Sequence, residues 1–252
     1  MPTFSEELLA KMGAAKSVGV LTGAGISAES GIATFRGHDG IWKKYNPEEL
    51  ASMDAFLKNP ELVWEWYEYR RKIIHKVKPN PGHFTLAEME RFYPDFTICT
   101  QNVDGLHALA GSKNVLELHG NILFNRCNNC GKKYKETGSE RGKSFLRCDC
   151  GGLLRPDVVW FGETLPALVL EKSFTIAAKS DIYFSIGTSA NVYPAAMLPV
   201  EAKQYGAYVI EINLERTGLS SQVDVHFSGK SGEILPALWQ AVKKYKNQNI
   251  SN

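Results

Sequence analysis

Four cysteines, Cys127, Cys130, Cys148 and Cys150, fall in the pattern C-x2-C-x17-C-x-C. Two close thiolate pairs separated by a loop suit the tetrahedral demand of Zn2+. Gly131 follows the first pair and Gly151-Gly152 the second, residues that let backbone amides turn toward thiolate sulfur. The second pair is one residue tighter than the usual knuckle. Four protein ligands leave no open coordination position, so the metal is expected to be structural. Cys99 lies in the apolar run Phe96–Thr100 and reads as a buried core residue. An odd count with four clustered is a poor disulfide framework.

A second chemical feature is Gly23-x-Gly25-x-x-Ala28, directly after the apolar run Ser17–Thr22. It matches the dinucleotide pattern G-x-G-x-x-G/A, in which glycines let the backbone approach a pyrophosphate at a helix start. A tight strand-to-helix turn fits the same residues, and the usual acid about twenty positions on is not obvious. Asp39 is near that distance but sits in a Gly-rich loop; Asn213 or Glu215, after the run Tyr208–Ile212, is the better ribose partner. Gly187-Thr188-Ser189 follows another apolar run and offers amides and hydroxyls to phosphate.

The loop Thr100–His107 carries Gln101, Asn102 and Asp104, whose amide and carboxylate groups recognise carboxamides and ribose hydroxyls. His119 follows Val115–Leu118 and precedes Gly120, at the same expected rim. A histidine there suits general-base work near neutral pH, although the residue taken alone reads more readily as a satisfied structural histidine. His107 reads as structural, and His38, His75, His83 and His226 give no comparable signal. Tyr67 and Arg70 are three apart and share one helical face. Arg70 can grip a carboxylate through two parallel charge-assisted bonds, with a hydroxyl added by Tyr67; an exposed arginine on an aromatic-rich helix is the plainer alternative.

The elements that must position these groups follow from periodicity. Apolar, β-rich runs at Ser17–Thr22, Phe96–Thr100, Val115–Leu118, Asp181–Ile186, Tyr208–Ile212 and Val225–Phe227 predict strands. Helical patterns lie at Ser5–Ala15, Gly82–Phe92, Asp104–Ala110, Ala167–Lys179, Pro194–Tyr205 and Gly232–Tyr245. Strands alternating with helices predict an α/β fold, a doubly wound, Rossmann-like parallel sheet covered on both faces. Pro47–Lys78 reads as wholly helical, and it and the cysteine segment interrupt the rhythm. The expected organisation is therefore a nucleotide-binding domain from 1–46, 79–121 and 154–252. A smaller lobe is expected from a helical module, 47–78, and a zinc module, 122–153, facing the sheet's carboxyl edge.

The composition agrees with one large and one small unit: 252 residues, 44% hydrophobic, with Lys plus Arg 29 against Asp plus Glu 27 and a net charge of +2. The balance argues against a dedicated nucleic-acid binder. No apolar run reaches the length of a membrane span, and Met1–Lys16 is neither a signal nor a transit peptide. The expected compartment is a reducing cytoplasm.

Taken in order, the blocks GAGISAESGIATFRG (23–37), TQNVDGLH (100–107), LHG (118–120), the four cysteines, LRPDVVWFGE (154–163), GTS (187–189) and INLE (212–215) closely resemble the sirtuins, NAD-dependent protein deacylases. Tyr67-Glu-Tyr-Arg70 resembles the Tyr-x-x-Arg pair of the bacterial and archaeal, desuccinylase-like branch. The resemblance implies NAD bound along the carboxyl edge by Gly23, Ala24, Gly25, Ala28, Phe35, Arg36, Gln101, Gly187, Thr188, Ser189, Asn213, Glu215 and Ser231. It implies Asn102 and Asp104 placing the nicotinamide and its ribose. The acyl-lysine amide oxygen attacks the ribose carbon as nicotinamide leaves, and His119 acts as general base on a ribose hydroxyl. The products are free lysine, nicotinamide and O-acyl-ADP-ribose. Val159, Trp160, Phe161 and Gly162 are expected to pair with the substrate backbone, and Tyr67 and Arg70 to favour succinyl- or malonyl-lysine while still admitting acetyl-lysine.

Three other readings use the same residues. A nicotinamide-dependent dehydrogenase would return reduced cofactor, but it does not call for His119 and the Asn102/Asp104 loop alongside a zinc segment. A zinc module binding nucleic acid would exploit Lys132, Lys133, Lys135, Arg141, Lys143 and Arg147; a solvated surface is the plainer account in a near-neutral chain. ADP-ribosyl transfer shares the cleavage of NAD but leaves a modified protein.

Overall fold

The computed structural model describes residues 3–35, 41, 47–136 and 146–250. Six strands, β1 (Ser17–Thr22), β2 (Asp95–Thr100), β3 (Val115–Glu117), β7 (Ile182–Ile186), β8 (Tyr208–Asn213) and β9 (Val225–Ser228), form one sheet in the order β3-β2-β1-β7-β8-β9. Every pairing in it is parallel. The central strands β1 and β7 are buried almost throughout, as the unbroken apolar runs require.

Successive residues serve opposite faces. Val20, Ile98, Phe184 and Ile210 join the core beneath α1 (Glu6–Ala14), α6 (Pro81–Phe92) and α10 (Ser231–Ile250), with Leu8, Met12, Leu86 and Leu238. Leu21, Cys99, Tyr183 and Val209 pack on the other side with Ala177 of α8 (Ala167–Lys179) and Leu198 and Ala202 of α9 (Leu198–Gln204). The sheet is therefore doubly wound, as the sequence predicts. Ser5 caps α1, its hydroxyl accepting from the Leu8 N–H, which is the local reason the helix begins there.

The rest of the chain departs from expectation in two places. The segment 47–78, read as wholly helical, is helical in three separate pieces: α3 (Pro47–Leu50), α4 (Met53–Lys58) and α5 (Pro60–Ile74). Ser52 caps α4 and Asn59 caps α5 through their side chains, Asn59 also closing α4, and Pro60 takes the first helical position, where a missing N–H costs nothing.

The second departure is a three-stranded antiparallel sheet, in the order β5-β4-β6, built from β4 (Gly120–Cys127), β5 (Lys133–Lys135) and β6 (Leu154–Val158). Periodicity does not reveal it, because β4 buries Asn121 and Asn125 and β6 buries Arg155 and Asp157. A separate core of Phe56, Val63, Trp66, Tyr67, Ile122, Val158 and Trp160 joins the helical module to this sheet. Arg71 on α5, 1% exposed, fixes the joint: it donates to Ile122 O at 2.7 Å and to Asn125 Oδ1 at 2.6 Å. α7 is also shorter than expected, only Leu106–Leu109, because Asp104 turns its carboxylate onto the Leu106 N–H instead of extending the helix.

Candidate functional site at the carboxyl edge

β1 and β7 are neighbours, with β2 beyond one and β8 beyond the other, so crossovers run outward in both directions from this pair. Such a switch point opens a crevice at the carboxyl ends of the strands. There the loops after β1 and β7 pack backbone on backbone. Gly25 N donates to Gly187 O at 2.8 Å, and a Cβ on Gly25 would stand 2.6 Å from Gly187 Cα. Gly187 has φ +59°, and a Cβ there would meet Ile26 N at 2.5 Å. The two loops therefore need these glycines for their mutual contact, a reason additional to any close approach by a ligand.

Side chains knit the neighbouring strand ends into one rim. Gln101 Nε2, after β2, donates to Thr188 Oγ1 at 3.0 Å. Asn213 Nδ2, at the end of β8, donates to Thr188 O at 2.9 Å. Ala24, Phe35 and Ser189 are half-buried, whereas Ala28 and Glu215 are exposed. Ser231 turns its hydroxyl to Glu29 at 3.3 Å, beside the Gly232 N–H that Glu29 also accepts. Arg36 lies outside the described residues.

Below the rim, Asn102 and Asp104 are buried and organised by Ser27. Asn102 Nδ2 donates to Gly23 O and to Ser27 Oγ, both at 3.1 Å. Ser27 Oγ in turn donates to Asp104 Oδ2 at 2.8 Å. Burial raises the Asp104 pKa, while the Leu106 N–H, the Ser27 hydroxyl and the Arg70 charge oppose the rise. Sequence reasoning missed Ser27, which stands inside the Gly23–Ala28 motif on the short helix α2 (Gly25–Ala28).

It also passed over His83, whose Nε2 lies 3.5 Å from Ser27 Oγ. His107 lies behind it, its ring 4.9 Å from that of His83 and its Nε2 2.9 Å from Thr22 Oγ1. Burial lowers His83 to about 4 and His107 to about 3, so both are neutral structural groups at physiological pH.

His119 follows β3. Its Nδ1 lies 2.9 Å from Gln101 O. A carbonyl oxygen only accepts, so Nδ1 carries the proton and Nε2 of the neutral ring presents its lone pair. Burial lowers the His119 pKa, with the Gln101 carbonyl opposing in part.

Across from this rim, α5 presents Tyr67 and Arg70. The Arg70 guanidinium is enclosed by rings, 4.9 Å from the Phe35 centroid, 4.8 Å from that of Trp66 and 5.8 Å from that of Tyr67. It is 9% exposed and makes no hydrogen bond or ion pair among the described residues. Tyr67 is buried, and its hydroxyl lies 2.7 Å from Trp160 Nε1.

In the segment after β6, the N–H groups are already engaged. Val159 N donates to His119 O, Phe161 N to Ala51 O and Trp160 N to Glu163. An added strand can therefore take only acceptors from these three residues. Trp160 is buried, whereas Phe161 and Gly162 are exposed.

The four clustered cysteines place their sulfurs within 4.8 Å of one another, with Cys127–Cys150 and Cys130–Cys148 at 3.5 Å. A tetrahedron of Zn–S bonds has edges of about 3.8 Å, so the cluster is compatible with zinc. The Asn129 N–H points at Cys127 Sγ from 3.4 Å. A Cβ on Gly152 would lie 2.7 Å from the same sulfur, so glycine there keeps the site tight.

The Sir2 family model matches residues 23–194. The chain belongs to the Sir2 family. Among its Sir2 relatives, the NAD-dependent protein deacylase of Aquifex aeolicus is 50% identical over 225 residues, 89% of this chain and 94% of that one. A solved Sir2 homologue in complex with NAD has a TM-score of 0.90 at 45% identity, covering 97% of this chain and 96% of that one. A Sir2 complex with a p53 peptide and NAD+ aligns with a TM-score of 0.85 at 31% identity, covering 94% of this chain and 98% of that one. The doubly wound sheet and four-cysteine cluster are thus those of a Sir2 protein. No helix among the described residues is long and apolar enough to cross a membrane.

Proposed function

We propose that this chain is an NAD-dependent protein-lysine deacylase that removes acetyl groups and, through Arg70, the acidic succinyl and malonyl groups. Bound NAD supplies an electrophilic ribose carbon and a nicotinamide leaving group. Asn102 and Asp104, held by Ser27, orient polar groups of the nicotinamide end in a buried pocket, where fixed dipoles act more strongly than in water. His119, with Nδ1 committed to Gln101, takes a proton from a ribose hydroxyl at Nε2. Gly23, Ala24, Gly25, Gly187, Thr188, Ser189 and Asn213 line the rim for the phosphates and the second ribose, with Ala28, Glu215 and Ser231 at its margin. Phe35 and Arg36 cover the nicotinamide side. The carbonyls of Val159 and Phe161 and the exposed Gly162 receive the peptide backbone.

The observation that carries the acyl reading is Arg70: a buried cation, wrapped by three rings, with no anionic partner in hydrogen-bonding contact among the described residues. Burying a charge is costly unless it is paired, and an acyl carboxylate completes the pair. Steady-state kinetics on one peptide in acetyl- and succinyl-lysine forms tests this. Arg70→Met should lower kcat/KM for succinyl-lysine far more than for acetyl-lysine, and equal losses would refute the acid pocket.

The domain division at 47–78 and 122–153 is proposed on the same basis, since Arg71 and the second core bind those segments to each other. The unpaired cysteines support a reducing, cytoplasmic setting. The near-neutral charge supports acylated proteins or peptides, not nucleic acid, as partners.

A further inference from the structure

The Tyr67 hydroxyl has a single hydrogen-bond partner among the described residues, Trp160 Nε1 at 2.7 Å. An indole N–H can only donate. The hydroxyl therefore spends acceptor capacity on Trp160, and its own proton is turned away from the indole.

Trp160 is itself held on all sides. Its ring lies 3.3 Å from the Arg155 guanidinium and 5.3 Å from the Phe56 ring. Its backbone N–H donates to Glu163 at 2.8 Å. Glu163 also pairs with Arg155, and Arg155 donates to Val158 O at 2.7 Å. One carboxylate thus fixes both the backbone of residue 160 and the cation that stacks on its ring. The indole has no room to rotate, because Trp160 is 2% exposed and Arg155 fully buried.

We propose that Trp160 is a specificity-positioning residue: its fixed indole N–H sets the Tyr67 hydroxyl as a donor into the space beside Arg70, so that an acyl carboxylate meets a hydroxyl proton as well as a cation. The inference rests on the acid-pocket reading given above. A hydroxyl free to rotate would also present lone pairs to the carboxylate, which repel it. An acetyl group carries no carboxylate, so the orientation of this proton has nothing to act on in acetyl-lysine. The Trp160 side chain then serves selectivity from behind Tyr67 without touching the acyl group.

The test measures the ratio of succinyl to acetyl kcat/KM for Trp160→Phe. A second variant carries benzothienylalanine at position 160, which keeps the bicyclic shape and deletes only the N–H donor. Both are repeated in a Tyr67→Phe background, with Arg70→Met alongside. Loss of one neutral hydrogen bond predicts a fall in the ratio of about five-fold. No further fall is expected once the Tyr67 hydroxyl is gone. An unchanged ratio in the benzothienyl variant, while Arg70→Met collapses it, overturns the role of Trp160 and leaves the acid pocket standing. A loss shared equally by both acyl groups and persisting in the Tyr67→Phe background makes Trp160 merely structural and likewise overturns the proposal. An unchanged ratio in Arg70→Met removes the acid pocket and this inference with it.

Discussion

His119 Nδ1 stands 2.9 Å from the carbonyl oxygen of Gln101, so the polar loop that follows β2 decides which nitrogen of the histidine can act as a base. Replacing His119 with Ala removes the proposed base, and the loss expected for general-base catalysis is about 10²- to 10⁴-fold in kcat. The pH profile adds a sharper expectation. Burial lowers the His119 pKa, so the neutral, competent form persists to more acidic pH than for a free imidazole. The acid limb of kcat/KM should fall below the ordinary value of about 6.5; a limb above it would contradict the environment described.

Arg70 and Arg71 are neighbours with different work, and their substitutions should separate. Arg71 is bonded to Ile122 O, Asn125 and Glu68 and holds α5 against β4. Arg71→Met strips a buried joint and should destabilise the chain by roughly 3 kcal/mol, lowering Tm and both deacylase activities together. Arg70→Met, removing a cation with no hydrogen-bonded partner among the described residues, should leave Tm nearly unchanged and alter acyl preference alone. Thermal melts beside the two kinetic assays check both.

The cysteine cluster predicts one zinc per chain by elemental analysis. Stripping it with a chelator, or substituting Cys148 with Ser, should loosen the small sheet. Cys127 lies at the end of β4 and Cys148 and Leu154 share its small core. Hydrogen exchange should then rise across β4–β6 while the six-stranded sheet stays protected. Uniform loss of protection would mean that the two sheets do not unfold separately.

His83 and His107 give stability a definite pH dependence. Both have folded pKa values lowered by burial, to about 4 and about 3, against an ordinary value near 6.5. Between those limits the unfolded chain binds more protons, so stability is complete above about 6.5 and falls as pH drops toward 4 and 3, by about 1.4 kcal/mol per pH unit for each histidine. Asp104 acts in the opposite sense, because its raised pKa lets the folded chain take up a proton first. Urea unfolding at pH 7 and 5 should show the net loss, and His107→Gln should flatten it.

The inner strands of the large sheet, β2, β1, β7 and β8, were legible because they are mostly buried on both faces and read as apolar runs. The small sheet was not, because its buried positions include Asn125 and Arg155, which meet Arg71 and Glu163 inside the lobe. Proline and serine punctuation at Ser52 and Asn59-Pro60 was visible, yet aromatic periodicity across 47–78 hid the breaks. In the site, residues at strand ends were readable from type and position. Ser27 and His83 were not read, since their contribution lies in contacts between segments 56 residues apart. The burial of Trp160 was equally hidden: its side chain faces Tyr67, while its backbone lies in the segment proposed to meet the peptide.

The most direct test of the whole account is a product analysis. Purified protein is incubated with NAD+ and an acetyl-lysine peptide, with His119→Ala in parallel, and every species is followed by mass spectrometry. Deacylated peptide, nicotinamide and O-acetyl-ADP-ribose should appear in equal amounts and be lost in the variant. Intact peptide with NAD+ unconsumed, or NAD+ returned as its reduced form, would contradict it.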